Sequence, residues 1–149
     1  MPDSQNPDTF EHSRVHPGIQ TLVEHNQILR WYHRLITLRK SIPSLESAQS
    51  GQHEHRVWIE ESKQVLFLYR TLHRQPTAFI ILSFNREPIS TYLQKPIGAW
   101  ELMIDSQSVE FGGSGLNGFP AKLVIGLKEQ TISVPAYSVA VYLDRTPSA

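Results

Sequence analysis

The 149-residue sequence contains no cysteine, and its 14 Lys and Arg residues balance its 14 Asp and Glu residues. Without thiols the chain forms no disulfides and performs no thiolate chemistry, which fits a reducing compartment. Without a net charge it has no electrostatic basis for binding nucleic acid or an anionic membrane. No apolar run approaches the roughly 18 residues of a membrane span, and the polar N-terminus lacks the apolar segment of a signal peptide. These absences predict a cytoplasmic protein that binds neither nucleic acid nor membrane.

Hydrophobic patterning divides the chain into a lead-in and one domain. Residues 1–18 contain three prolines and no hydrophobic period, which predicts a flexible lead-in that is extended or disordered. Residues 19–149 predict a single domain, since a chain of this length buries most of its apolar surface in one core. The initiating Met1 and the polar residues after it favour a complete chain over a fragment.

The first periodic segment predicts an α-helix over about residues 19–41. Apolar side chains form a wide stripe on this helix: Ile28, Leu29, Trp31, Tyr32, Leu35, Ile36 and Leu38. Arg39 and Lys40 suit the negative end of the helix dipole, and Pro43 ends the helix. The stripe is broader than a surface helix on a small sheet usually needs.

After residue 54 the hydrophobic period changes to two, which indicates β-strands. Turns that contain Pro, Gly or polar residues separate eight candidate strands: 56–61, 65–71, 77–84, 89–95, 100–105, 121–127, 131–134 and 137–144. The third segment, Thr77–Phe84, is nearly all apolar and should be a central strand that is buried on both faces. The pattern predicts an antiparallel β-sandwich of about eight strands, of Greek-key type, over residues 56–144, with one N-terminal α-helix.

The segment Ala99–Gly115 is a strand that continues through Asp-Ser into a cluster of glycines, Gly112-Gly-Ser-Gly115. Strand and helix interiors tolerate such clusters poorly, so Gly112, Gly113 and Gly115 predict a corner with positive φ angles. This construction resembles the C-terminal all-β domain that follows the catalytic barrel in α-amylase superfamily enzymes, such as glycogen branching enzyme and maltooligosyltrehalose trehalohydrolase. Arg30–Leu45 resembles the last helix of such a barrel, and Val134–Tyr142 resembles the closing strand pair of the β-domain.

The resemblance implies a role in α-glucan or trehalose metabolism without the catalytic apparatus of the family. The catalytic carboxylates of that superfamily lie on the barrel, which takes about 250 residues and has no counterpart before Leu22. We therefore expect no catalytic residues, no cofactor and no enzymatic activity. Three functions remain open: an accessory or interaction module, a free-standing α-glucan-binding module and, least favoured, an enzyme with an unrecognised site.

Other chemical motifs in the sequence fail on their spacing or context. The run Gly113-Ser-Gly-Leu-Asn-Gly118 has the glycine spacing of a dinucleotide site, but no helix N-terminus follows to receive a pyrophosphate. His53-Glu-His55 offers two imidazoles, whereas a zinc site needs three or four ligands, so we predict no metal site. Glu60 and Glu61 point to opposite faces of a strand and do not form the carboxylate pair of a glycosidase.

Two sets of residues are candidates for binding. Exposed aromatic faces stack on sugar rings, and Trp58 and Trp100 are the first candidates for carbohydrate contacts, with core packing as the alternative. In the enzymes that the chain resembles, the helix lies between the barrel and the β-domain, whereas here no barrel covers its second side. We therefore expect Trp31, Leu35 and Leu38 to form an interface with a second copy in a homodimer or with an α-glucan-metabolising enzyme.

Overall fold

A six-stranded antiparallel sheet forms the centre of this protein, as seen in a computed structural model that describes residues 6–14, 18, 22–46, 53–93, 96–128 and 130–144. The strands are β1 (His53–Glu60), β2 (Val65–Leu72), β3 (Thr77–Ser83), β4 (Ile89–Leu93), β5 (Gly98–Asp105), β6 (Lys122–Ile125), β7 (Gln130–Val134) and β8 (Val139–Asp144). The large sheet has the order β1-β2-β3-β8-β5-β6, and β4 pairs with β7 in a second sheet.

The predicted architecture, an antiparallel β-sandwich with one main helix, is confirmed. Strand ends agree with the sequence pattern within two residues, except that β1 begins at His53 instead of Arg56. This extension arises because β1 pairs with β2 along its whole length, from His53 opposite Leu72 to Glu60 opposite Val65. The predicted end of the fourth strand at Lys95 lies outside the described residues.

Side-chain alternation gives the large sheet two apolar faces. On β3, Phe79 and Ile81 point into the space between the two sheets, whereas Ala78 and Ile80 point to the opposite face. The core between the sheets also contains buried residues of β2, of β4 to β8 and of the loop before β6: Val65, Phe67, Leu93, Trp100, Phe119, Leu123, Ile125, Ile132, Val134, Ala140 and Tyr142. The prediction that β3 is a central strand buried on both faces is confirmed, since it lies between β2 and β8.

A long helix, α2 (Val23–Ser41), packs on the second face of the large sheet. Leu38 and the adjoining Ile42 are buried there against β3, β5 and β8, and the indole of Trp31 meets the ring of Phe111 edge-to-face with 5.2 Å between centroids. The helix ends where Pro43 begins a short 3₁₀ turn. The predicted first turn, residues 19–21, lies outside the described residues. Within the described ranges, no helix is long and apolar enough to cross a membrane.

The described part of the predicted lead-in is a short helix, α1 (Pro7–Ser13), and not an extended segment. Asn6 caps it by accepting a hydrogen bond from the amide of Asp8 at 2.9 Å, and proline suits the first helical position because no amide is needed there. Residues 1–5 and 15–17 of the lead-in lie outside the described residues. The sequence signal for this helix is the capping residue Asn6 followed by Pro7.

The glycine corner has the backbone that the sequence predicted at two of its three positions. Gly112 has a φ angle of 88° and Gly115 of 67°, both in the left-handed region. Gly113 is required for a different reason: a Cβ atom there would overlap the backbone of Gln107. The corner is thus a close fold of the chain on itself after β5, and side chains are excluded from it by sterics.

Candidate functional site

Exposed apolar side chains lie on the same side of the large sheet as α2. Six of them form what we call the helix-side surface, and each is 51–60% exposed: Ile28, Leu29, Tyr32 and Ile36 of α2, and Val57 and Ile59 of β1. Single exposed apolar residues are ordinary on protein surfaces, whereas a group of them on one side is typical of an interface. This surface is therefore our candidate functional site.

The β1 part of the surface is exposed because α2 covers only part of the sheet. Val57 and Ile59 alternate with Trp58, which packs into the core between the sheets, so they point to the side of α2. The helix packs on β3, β5 and β8, where residues such as Ala78 and Val141 form a buried cluster with Leu38 of the helix. No residue of α2 belongs to a buried cluster with β1, and the face of this edge strand is left open.

The three predicted interface residues are turned towards the protein's own sheet. Leu38 is only 4% exposed, and Trp31 and Leu35 are partly buried against the same cluster. They attach α2 to the sandwich, and this intramolecular packing replaces the intermolecular contact that the sequence analysis assigned to them. The exposed apolar residues lie beside them on the helix, at Ile28 and Tyr32 among others. Because the apolar stripe is so wide, its pattern alone did not separate the two sets.

The two tryptophans predicted to contact carbohydrate differ in exposure. Trp100 is 2% exposed, and its indole nitrogen donates a hydrogen bond to the carbonyl oxygen of Pro96 at 3.2 Å. Its ring faces are therefore closed to a sugar, which corrects the prediction for this residue. Trp58 is half-buried and stacks on Phe67 and Phe79, with centroid distances of 5.3 and 5.9 Å. For Trp58 the carbohydrate contact stays a prediction.

A shallow groove of about 310 Å³ lies beside Trp100, between β5, β6 and β8. Its polar lining consists of Glu101, Lys122 and Asp144, and Val124 adds an exposed apolar side chain. Such a groove offers hydrogen-bonding groups to a polar ligand, but no open aromatic face.

Glu60 is engaged in a structural cluster where the β1–β2 hairpin meets β4. Its carboxylate accepts a hydrogen bond from the hydroxyl of buried Thr91 and forms an ion pair with Lys63, with 2.8 Å from Nζ to Oε1. The ammonium of Lys63 also lies 5.4 Å from the ring centroid of Tyr92. Burial raises the pKa of Glu60, but the hydrogen bonds from Lys63 and Thr91 and the charge of Lys63 outweigh it, so the pKa lies below its ordinary value. Such a carboxylate is a poor proton donor at neutral pH.

Asp105 is engaged in holding the glycine-rich loop in place. One carboxylate oxygen accepts a hydrogen bond from the amide of Gln107 at 2.8 Å, and the other accepts one from the amide of Phe119 at 2.9 Å. Glu110 lies exposed on the 3₁₀ turn Val109–Phe111. Neither arrangement presents a pair of carboxylates across an open cleft, which glycoside hydrolysis requires.

The histidines of His53-Glu-His55 lie at the start of β1. His53 and His55 share one face of the strand because they are two residues apart, and His55 is exposed. Within the described ranges, no group of three or more His, Cys, Asp or Glu side chains is placed to hold a metal ion.

The sequence matches no protein-family model and no curated protein. Its fold, by contrast, is similar to solved structures of trehalulose synthase MutB, an α-amylase-family enzyme. A mutant of MutB in complex with Tris matches with a TM-score of 0.56 and 16% identity, and the enzyme from Pseudomonas mesoacidophila MX-45 in its monoclinic form with 0.54 and 17%. The chain has the fold of part of an amylase-type enzyme.

Both matches cover 87% of this chain but only 21% of the enzyme. The chain therefore spans about a fifth of the length of the solved proteins that it resembles. The predicted resemblance to the amylase-type C-terminal β-domain is confirmed at the level of the fold.

Proposed function

We propose that this chain is a non-catalytic accessory module of α-glucan or trehalose metabolism, which acts through protein contact at its helix-side surface. The observation that carries the proposal is the match to about a fifth of an amylase-family enzyme, combined with an apolar surface on the helix that the sandwich leaves open. The contact is with a second copy or with an α-glucan-metabolising enzyme. The balanced, cysteine-free composition supports placing this activity in the cytoplasm.

The absence of catalysis by Glu60, Asp105 or Glu110 is proposed because each of these carboxylates has a structural role or an isolated position. Glu60 is held by Lys63 and Thr91, and Asp105 by two backbone amides of the glycine-rich loop. A retaining glycosidase needs two carboxyl groups about 5–5.5 Å apart on either side of one sugar bond. Groups that already hold their own loops are not free to move protons for a substrate.

The surface itself supports protein contact on energetic grounds. Six large side chains at about half exposure leave on the order of 500–600 Å² of apolar area on α2 and β1 in contact with water. Covering it would contribute roughly 25 cal/mol per Å², before the costs of association. All of this area lies on α2 and β1, on the same side of the large sheet.

An α-glucan-binding module is the second candidate, and the groove beside Trp100 favours it. Glu101, Lys122 and Asp144 line the groove and supply groups that hydrogen-bond to sugar hydroxyls. Sedimentation of the chain with glycogen tests this function. Glucan binding would be favoured over the accessory role if Lys122→Ala abolishes sedimentation of the chain with glycogen. Lys128→Ala, at another exposed lysine, is the control and should leave this sedimentation unchanged.

Enzyme assays test the accessory role. The purified chain alone should release no reducing sugar from starch, glycogen or maltooligosaccharides and should not change their iodine staining. When the chain is added to a branching enzyme or a trehalose-forming enzyme of the α-amylase family, Ile59→Lys at the helix-side surface should weaken its binding to that enzyme. If the chain binds a second copy instead, Ile59→Lys should weaken this self-association. Leu127→Lys is the matched control, since Leu127 is 94% exposed on a loop before β7.

Two results would overturn the proposal. One is turnover by the chain alone that survives repurification and is lost in Glu60→Gln. The other is a chain whose binding to itself and to these enzymes is undetectable, or is changed equally by Ile59→Lys and Leu127→Lys.

A further inference from the structure

We infer that Asn117 is a site of covalent modification, where the side-chain amide is lost by deamidation and part of the product is an isoaspartyl linkage in the main chain. Asn117 lies in the glycine-rich loop between β5 and β6. Asparagine is among the least heat-stable residues in proteins. The modification needs only water as a reactant, and it is independent of the proposed accessory role.

In this reaction the backbone nitrogen of Gly118 attacks the side-chain amide of Asn117. A bond forms from this nitrogen to Cγ of Asn117, the bond from Cγ to Nδ2 breaks, and ammonia leaves with the proton of the Gly118 amide. Water then opens the cyclic succinimide at one of its two carbonyl carbons. Opening at Cγ gives aspartate, whereas opening at the main-chain carbonyl gives isoaspartate. Glycine favours ring closure because no side chain crowds its nitrogen.

The other three asparagines of the chain have neighbours that hinder this attack. Asn6 precedes Pro7, whose nitrogen carries no proton. The amide that follows Asn26 lies within α2, where helical hydrogen bonds hold the backbone. Asn85 is fixed at both ends of its side-chain amide: Nδ2 donates to the carbonyl oxygen of Lys63 at 3.3 Å, and Oδ1 accepts from the backbone amide two residues further on at 3.0 Å.

Asn117 has none of these restraints. Both Asn117 and Gly118 are exposed. Within the part of the chain that the structure describes, neither the side-chain amide of Asn117 nor the backbone N–H of Gly118 has a hydrogen-bond partner. The φ angle of Asn117 is 53°, in the left-handed region that asparagine adopts in turns. A segment without hydrogen bonds rearranges at little cost in free energy, so the ring can close in the folded protein.

The isoaspartyl product should loosen the attachment of the loop to the core. Gly118 lies so close to Asp105 that a Cβ atom on it would be 2.7 Å from Oδ2. The same oxygen accepts the hydrogen bond from the amide of Phe119 at 2.9 Å. An isoaspartate adds one carbon to the main chain just before Gly118, and so it shifts both residues relative to Asp105. Since this contact is closely packed, we expect the modified chain to be less stable.

Incubation of the purified full chain at mildly alkaline pH tests the inference, because the attacking amide reacts faster as it loses its proton. Peptide mass spectrometry should show a gain of about 1 Da, the difference between an amide and an acid, in the peptide that contains Asn117. An isoaspartyl methyltransferase should label the same peptide. The rate should lie within about tenfold of that of a synthetic peptide of residues 112–121, because the exposed loop opens easily. Asn26 and Asn85 are internal controls and should stay unmodified.

Asn117→Gly is the matched variant, since it removes the reacting amide and glycine accepts the positive φ angle. After incubation, the wild type should contain a second population that unfolds at a lower urea concentration. This population should coincide with the isoaspartyl fraction separated by ion exchange. The unfolding of Asn117→Gly should be the same before and after incubation.

Three results would overturn the inference. One is an Asn117 amide that stays intact in the protein after the synthetic peptide has been converted. Another is equal modification of Asn26 and Asn85, which would place the reaction in the unfolded chain. The third is an isoaspartyl fraction that unfolds as the unmodified chain does, which would refute the loosening of the loop at Asp105.

Discussion

The phenolic hydroxyl of Tyr142 donates a hydrogen bond to the carbonyl oxygen of Pro120, 3.0 Å away. Tyr142 is fully buried on β8, whereas Pro120 is exposed and lies two residues before β6. The bond therefore fastens the end of the glycine-rich loop to the core. Burial and, to a smaller extent, the negative charge of Asp105 raise the pKa of Tyr142 above its ordinary value.

Tyr142→Phe should lower the free energy of unfolding by about 1 kcal/mol at neutral pH, the usual net contribution of one hydrogen bond. Because the pKa is raised in the folded protein, the phenol contributes its full stability below its ordinary pKa of 10.0 and loses it as the pH rises further. The deficit of the variant should therefore shrink in alkaline buffer. Urea unfolding of the wild type and Tyr142→Phe at neutral and at alkaline pH measures the difference in their unfolding free energies. A difference that is the same at both pH values would contradict the prediction.

Gly113→Ala should lower the free energy of unfolding by roughly 1–3 kcal/mol, because the added methyl group must displace the backbone of Gln107. Gly126→Ala is the matched control: nothing lies within 4 Å of a Cβ atom there, and its effect should stay within about 0.5 kcal/mol. Chemical denaturation of both variants provides the comparison. Equal effects would show that the corner has room for a side chain.

Glu60→Gln should reduce stability at neutral pH, and the reduction should disappear in acid. The pKa of Glu60 is lowered in the folded protein, so its carboxylate contributes stability that is fully present above the ordinary pKa of 4.5 and is lost as the pH falls through the folded value. Glu61→Gln, at the exposed neighbouring position, is the matched control for the loss of one carboxylate charge. The free energy of unfolding of both variants is measured from neutral pH into acid. The stabilising role of the Glu60 carboxylate would be refuted if Glu60→Gln and Glu61→Gln lost the same stability at every pH.

Trp31→Ala and Tyr32→Ala should affect different properties, although the residues are adjacent. Trp31 packs against Phe111 and the sheet, so its truncation should lower the unfolding free energy by about 2–4 kcal/mol. Tyr32 is 60% exposed, so its truncation should change folding little in dilute solution. Thermal unfolding at a protein concentration below that of self-association separates the two. A larger loss for Tyr32 would mean that the helix is rotated from the orientation described above.

The positions of the strands could be predicted from the sequence because each strand has its own local signal. Alternating apolar residues, or a continuous run such as Thr77–Ser83, indicate where the chain is extended, and Pro and Gly mark where it turns. The glycine corner was predictable for the same reason, since the conformations at Gly112 and Gly115 are local properties of the backbone. These features depend on neighbouring residues in the chain.

The candidate site was decided only by tertiary structure. The sequence shows that Trp31, Tyr32, Leu35 and Ile36 are apolar, but nothing local indicates which of them the sheet covers. Likewise, Trp58 and Trp100 are equivalent as residue types, and their exposure depends on strands far away in the sequence. Hydrophobic burial has no direction of its own. The side of α2 that remains in water is therefore fixed by the position of the helix across β3, β5 and β8 and by the limited width of sheet that one helix can cover.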